Sequence, residues 1–561
     1  MVTAKAKPAK AKRKGRRKAQ SESAGNEPQL SFKEQLKKKR EEARAKQQLI
    51  QFTIAATAFS LLVGFLAGVL VEPKLGAAAF MALMCLALAF KYPRYAIYGF
   101  IIYLPFSGTV TYALGGSAIL QLAKDAIFFP ALIGVVQFCR KNRQPLILPQ
   151  AIRIPLIILM TLCATTLLVV NGAQQMAAAG NEKPILLGIM GIKALVGYLL
   201  LITCIYYLIR TKEDLYFLLR IQVLLIIICC GLGLVQYLML KAGVCQGTQG
   251  TGQELFRASL ESRCFVGGSL LYTPEHGQIR LPGTFVAPWQ WGWFLISSAF
   301  FAFGTAFSDR SFFWRMMGLG ALASVGIMSV LSGQRIALAL VPAAVGLLLI
   351  LTGQIANLKR FIPVGVGLFF ILSYVSARNP EVVRERIDSF ISRWNASPPQ
   401  AFIMQQLEWA YSKQQGFLGR GLGRATNAAR IFGETELVET YHSKVMYEIG
   451  VMGLIVLLAL FTMLIIATFR AYRSVKDPNL RGYAASMWVF VLFISYFPYY
   501  YPLDVDPVNV YYWLAAGIAL KLPDIDRQER LKQSLEEGSN VKLSKKELRQ
   551  LQKSNKVAEF K

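Results

Sequence analysis

The chain has 561 residues, of which 54% are hydrophobic and 17% charged, against about 25% charged in an ordinary soluble domain. Its formal net charge is +30, and half of that sits in two polar ends: 16 Lys/Arg against 5 Asp/Glu in residues 1–49, and 11 against 7 in residues 521–561. The stretch between them is a succession of long apolar runs, which excludes a soluble enzyme, a disordered chain and a fibrous repeat. A basic surplus that flanks apolar segments, with no folded basic face, also speaks against a nucleic-acid partner.

Residues 1–30 are low-complexity Lys/Ala/Pro sequence, the composition of a disordered tail. Residues 32–48 (FKEQLKKKREEARAKQQ) have helical composition and mixed charge. They suit either a solvated tail or the anionic surface of an inner leaflet. From there the apolar runs predict an all-α polytopic membrane protein with 12–14 transmembrane helices, each needing about 20 mostly apolar residues. The candidate spans are 50–71, 75–91, 95–113, 118–138, 153–171, 185–209, 215–240, 284–307, 314–331, 335–353, 361–377, 446–470, 483–500 and 508–521. Lys124 and Asp125 interrupt the fourth, and the last is short. The domain reading is a basic tail (1–49), a transmembrane domain (50–521) and a charged tail (522–561).

Basic residues in short loops set orientation. Every second gap carries at least two of them: Lys91/Arg94, Arg140 to Arg143, Arg210/Lys212, Arg310/Arg315, Lys359-Arg360 and Arg470 to Arg481. The alternate short gaps carry one or none. This places both termini in the cytoplasm, with no signal peptide at the N-terminus. Two long gaps, 241–283 and 378–445, then fall outside. The second holds nine Lys/Arg and seven Asp/Glu. It is long for a connector, and so a candidate for function. Within it, 381–391 and 400–413 read as short amphipathic helices broken by Ser397-Pro398-Pro399. Six cysteines lie in or beside apolar runs, where Cys acts as a small hydrophobe. Cys245 and Cys264 share one polar loop and can form a disulfide if that loop faces an oxidising side.

Charged groups at the outer ends of spans are the candidate functional residues. Arg335, in Ser332-Gly333-Gln334-Arg335, either snorkels to lipid headgroups or points inward as a phosphate clamp. Arg280, in Arg280-Leu281-Pro282-Gly283-Thr284-Phe285, leads into the eighth span through a Pro/Gly turn. It has the same two readings. Glu439 and His442 close the large loop three residues apart, so on a helix they share a face. That pairing suits a general base and its partner. Asp504 and Asp506 form an Asp-x-Asp that could take a divalent cation. The aromatics around them, with Tyr511, Tyr512 and Trp513, read as an interfacial belt or a sugar-stacking platform. Lys124, Asp125 and Lys193 lie within or near spans, where an ionisable group is a functional hypothesis by default.

Taken together, the Arg-x-x-Gly-x-Phe lead-in, the Ser-Gly-x-Arg turn, the Gly419-Arg420-Gly421-Leu422-Gly423-Arg424 run and the closing His…Glu-x-Gly-x-x-Gly resemble the O-antigen ligase/polymerase superfamily. The resemblance spans about residues 180–520. The Lys-rich start followed by Ser-Phe-Lys-Glu-Gln-Leu is further similar to the cyanobacterial hormogonium-polysaccharide membrane proteins. What this implies is a GT-C-like helical glycosyltransferase without metal or cofactor. It would pass a glycan from an undecaprenyl-diphosphate carrier to another glycan or other acceptor, as polymerase or ligase, at the outer face of the inner membrane. Polysaccharide-export proteins are the implied partners. By motif, Arg280 and Arg335 would hold the diphosphate and His442 would be the base. Two departures stand out: His442-Ser443 replaces the family's His-Asn, and in strict register the family His falls on Glu439. Either the helix start is shifted by a turn or Glu439 takes the base role. The alternatives to transfer are a flippase or transporter of lipid-linked sugars and a non-catalytic export scaffold. No Gly-x-x-x-x-Gly-Lys-Ser/Thr loop is present to cradle a nucleotide.

Overall fold

The computed structural model describes residues 32–536, apart from short breaks at 71–72, 117–119, 121–122, 179–180, 250–251 and 501, and with only scattered positions between 356 and 397. The protein is an all-α polytopic membrane protein. In chain order its helices are α1 (Phe32–Leu70), α2 (Pro73–Lys91), α3 (Pro93–Ala113), α4 (Ala123–Lys141), α5 (Gln150–Ala177), α6 (Pro184–Val196), α7 (Leu201–Leu208) and α8 (Lys212–Lys241). A two-stranded hairpin follows, β1 (Leu271–Thr273) and β2 (Gln278–Arg280), paired antiparallel with Leu271 opposite Arg280. Then come α9 (Pro288–Ser308), α10 (Phe312–Leu331), α11 (Arg335–Leu351), α12 (Pro399–Lys413), α13 (Tyr441–Ser474), α14 (Pro478–Tyr496) and α15 (Val508–Glu536).

Every predicted span except 361–377 coincides with a helix. The span 361–377 and the amphipathic helix 381–391 lie largely outside the described residues. Among the described residues, seven helices are by themselves long and apolar enough to cross a membrane, and α6 with α7 make an eighth that is bent by 46°. The other described helices in the predicted spans are shorter or carry charged residues. Helix reaches into both polar ends: α1 is described from Phe32, and α15 runs past the expected boundary at 521 to Glu536. Compactness also divides the chain differently, into residues 1–88 and 89–561.

In the first unit, Gly64 and Gly68 sit one turn apart and let α1 approach α2 at Gly76. A Cβ on Gly76 would lie 2.4 Å from the Gly64 carbonyl oxygen. Small residues at this spacing are a recurrent way for membrane helices to pack.

The second unit is organised around α9, which is buried from Trp291 to Ser308. It carries Trp291, Trp293, Phe294 and Phe300 at 0–1% exposure, packed against α8, α10, α11 and α14. Of the aromatics read as an interfacial belt or sugar platform, Tyr511, Tyr512 and Trp513 join this core at no more than 2% exposure, while Tyr496 is exposed. Tyr511 packs edge-on to Phe301 at 5.5 Å between ring centroids, and Tyr512 to Phe461 at 5.8 Å. Aromatic girdle residues need contact with the bilayer surface, and these have none.

The segment 416–426 forms a strap across α5, α6 and α13. At a π-helical turn in α5, Asn171 is fully buried and grips the strap through Leu422, accepting from its N–H at 2.9 Å and donating to its carbonyl at 3.0 Å. Gly423 adopts φ +81°, and a Cβ there would stand 2.1 Å from the Leu187 carbonyl oxygen. Beneath the strap α13 is kinked at Ile449–Gly450, with Gly450 at φ +76°. Cys245 and Cys264 are joined by a disulfide.

Gly423→Ala therefore forces both a strained backbone and a collision with a carbonyl. Strain of this kind costs about 1–3 kcal/mol. We expect a lower midpoint for thermal unfolding of the detergent-purified protein. Gly320→Ala, where nothing lies within 4 Å, should leave the midpoint unchanged.

Candidate anion-binding site

Two turns that are far apart in sequence are laid on each other. The Leu281 N–H donates to the Ser332 carbonyl at 3.0 Å. Gly333, at φ +68°, rests on β2 so closely that a Cβ would lie 1.9 Å from the Ile279 carbonyl oxygen. This contact carries Arg280, at the end of β2, and Arg335, at the first turn of α11, to the lining of one small, partly open cavity. Gln278 and Gln334 complete its polar lining, with Ser329, Val330 and Leu338.

None of the lining residues is acidic. Gln334 is 7% exposed, and its Nε2 is buried without a hydrogen-bond partner. Two arginines, an unsatisfied amide donor and the first turn of α11 thus line one cavity, residue types that suit the oxygens of a phosphate or diphosphate.

Glu439 reaches the same region through Tyr499. Thr440 and Tyr499 form an isolated β-bridge, and the Tyr441 N–H donates to the Pro498 carbonyl at 3.0 Å. Tyr499 lies within electrostatic reach of both Arg335 and Glu439, and its ring meets Phe402 of α12 edge-on at 5.7 Å. The Glu439 backbone N–H donates to Gln406 Oε1 at 3.1 Å. Burial raises its carboxyl above the ordinary glutamate range. His442 is placed differently. It does not line the cavity, its imidazole faces the backbone of Ser495 in α14, and its Nε2 is buried without a hydrogen-bond partner. The two arginines line one cavity, whereas neither Glu439 nor His442 does; Glu439 and Arg335 both lie within electrostatic reach of Tyr499, and His442 faces Ser495.

Asp504 and Asp506 are each committed to a lysine. Asp504 pairs with Lys444, and Asp506 with Lys124 at 2.9 Å. Burial raises both carboxyls. Lys124 and Lys193 override it at Asp506, which ends below the usual aspartate range, while Asp504 stays above it despite Lys444. Lys193 in turn pairs with Asp125 at 2.9 Å. Sequence spacing could not show these pairings, because each joins groups far apart in the chain. The same holds for Asn171 and Gln174, which bind the strap and sit in an apolar run with no motif around them.

No protein-family profile and no curated protein matches this chain.

Hydrogen bonds to a charged group contribute about 1.5–3 kcal/mol each, and about 1.4 kcal/mol is tenfold in affinity. Arg335→Ala and Arg280→Ala should each weaken binding of a polyprenyl diphosphate to the purified protein about tenfold or more, as read by titration calorimetry. Exposed Arg40→Ala should leave it unchanged.

Proposed function

We propose that the chain is a membrane glycan transferase of exopolysaccharide synthesis, resembling the O-antigen ligase/polymerase superfamily. It takes a glycan from an undecaprenyl-diphosphate carrier at the outer face of a bacterial inner membrane and passes it to a glycan or other acceptor. The observation that carries this reading is the shared cavity of Arg280, Arg335 and Gln334.

The leaving group in such a transfer is an anionic diphosphate. As the bond between the anomeric carbon and the phosphate oxygen breaks, its electron pair stays on the diphosphate. Fixed guanidinium groups stabilise that charge where it develops. The acceptor hydroxyl oxygen forms the new bond to the anomeric carbon and gives its proton to a base. Glu439 is the favoured base, because Tyr499 ties it to Arg335 while His442 faces Ser495. The carrier bond supplies the driving force.

The orientation follows the basic loops, with both termini cytoplasmic and the segments 241–283 and 378–445 outside. The disulfide of Cys245 and Cys264 suits an oxidising compartment. Lipid-linked oligosaccharide and polysaccharide-export proteins are the proposed partners. A second reading, transport of lipid-linked sugars, is favoured by the broken α6–α7 span and the ion pairs of Lys124 and Lys193.

In cells, Arg335→Ala should abolish extracellular polymer at normal protein level, and Glu439→Gln should lower transfer by about 10²–10⁴-fold. A base with a raised pKa must lose its proton to work. Transfer by the wild type should therefore fall on acidification at a pH above the ordinary glutamate value, and the limb should vanish in Glu439→Gln. Unchanged polymer with well-expressed Arg335→Ala removes the transferase reading. Trans-bilayer movement of a lipid-linked sugar by purified protein in liposomes, with no glycan product, favours transport. For topology, a membrane-impermeant maleimide applied to intact cells should label Cys245 and Cys264 only after reduction.

A further inference from the structure

We propose that a second cavity, above the kink of α13, is a proton-exchange site in which Glu448 is the group that takes up the proton. Its walls are Gly191, Leu195, Leu422, Val445 and Ile449, and its polar groups are Tyr441, Lys444 and Glu448. The cavity is small and partly open, with room for about one water molecule beside these groups. Tyr441 is 2% exposed, and its hydroxyl has no hydrogen-bond partner. A buried hydroxyl in this state is unfavourable unless a small polar molecule meets it, and a water held between Tyr441 and Glu448 supplies the contact through which a proton moves.

Charge counting points to the same group. Lys444 pairs with Asp504, Lys124 with Asp506 and Lys193 with Asp125. Asp504 lies within reach of Asp506, and Lys124 within reach of Asp125, so the pairs form one partly buried chain, most deeply buried at Lys444 and Asp504. Glu448 joins it beside Lys444 and Asp504. Three lysines thus face four carboxylates, and the fully ionised chain carries a net charge of −1. An uncompensated buried charge is strongly disfavoured, and one added proton removes it.

Glu448 is the carboxylate without a lysine of its own. Its Oε1 accepts from the Ala425 N–H at 2.8 Å and the Thr426 hydroxyl at 2.9 Å, both neutral donors in the strap. Of the other groups facing it, Lys444 is shared with Asp504, and Cys163 of α5 and Tyr441 carry no positive charge. Arg424 in the strap binds Gln174 and Glu182, and Arg420 is held there through its backbone by Tyr447 and Gln174. Ionised Glu448 grips the strap through charge-assisted bonds, and protonation weakens that grip. The site shares no lining residue with the Arg280–Arg335 cavity, so it stands whether or not the chain transfers glycans.

The test uses the full chain purified into lipid nanodiscs. Infrared difference spectra between neutral and acidic buffer should show a carboxylic-acid C=O band in the wild type that is missing in Glu448→Gln, whose amide carbonyl still accepts from Ala425 and Thr426. Hydrogen exchange of residues 419–426, corrected for intrinsic pH dependence, should quicken at least threefold on acidification in the wild type and not in Glu448→Gln. The wild-type spectrum stands as a test even if the variant folds poorly. No such band in the wild type, its persistence in Glu448→Gln, its loss in Asp504→Asn alone, or strap exchange with the same pH response in both proteins overturns the proposal.

Discussion

Backbone laid directly on backbone assembles both polar regions of this protein. The Arg280–Arg335 cavity exists because Gly333 lets the turn before α11 touch Ile279 of β2. The strap over Glu448 is seated because Gly423 meets the Leu187 carbonyl with no side chain between them. Any Cβ at either point would separate the segments and, with them, the side chains they carry. A charged group is held in place only as firmly as the backbone that bears it, and a loop seated by backbone contact loses little further freedom when a ligand arrives.

Around these contacts the core is aromatic and dry. The buried helix α9 and the aromatic start of α15 form the wall against which the functional loops are set. Trp293 illustrates the coupling: its ring is in the core, and its Nε1–H donates to the Tyr500 carbonyl at 3.1 Å. That bond fixes the segment whose neighbour, Tyr499, stands between Arg335 and Glu439. Burial thus does two jobs. It stabilises the bundle, and it pins a short irregular stretch that regular secondary structure could not hold.

The two cavities differ in charge. One is lined by two arginines and an unsatisfied amide donor, residue types that suit an anion. The other adjoins three lysine–carboxylate pairs and a further carboxylate, Glu448, the group proposed to take up a proton. Paired buried charges contribute little net stability against a hydrophobic alternative.

Membrane character was legible in the sequence, and thirteen of the fourteen predicted spans fall on helices, of which seven or eight are long and apolar enough to cross a membrane among the described residues. Apolar runs of about 20 residues have few ways to exist except as helices in or beside lipid, where every backbone group must bond within its own segment. The arginine-bearing turns were legible as candidates, since a charge at a span end always asks for an explanation. Their convergence was not, nor was the divergence of Glu439 and His442, because three residues of spacing fixes a helical face only if a helix is present. Glu439 lies just before α13 begins and His442 lies within it. Nor could spacing reveal which lysine meets which aspartate, or that Tyr511 to Trp513 sit in a core and not at an interface. Those outcomes depend on which helices touch, and that is decided by the sum of many packing contacts, no one of which leaves a local mark in the chain.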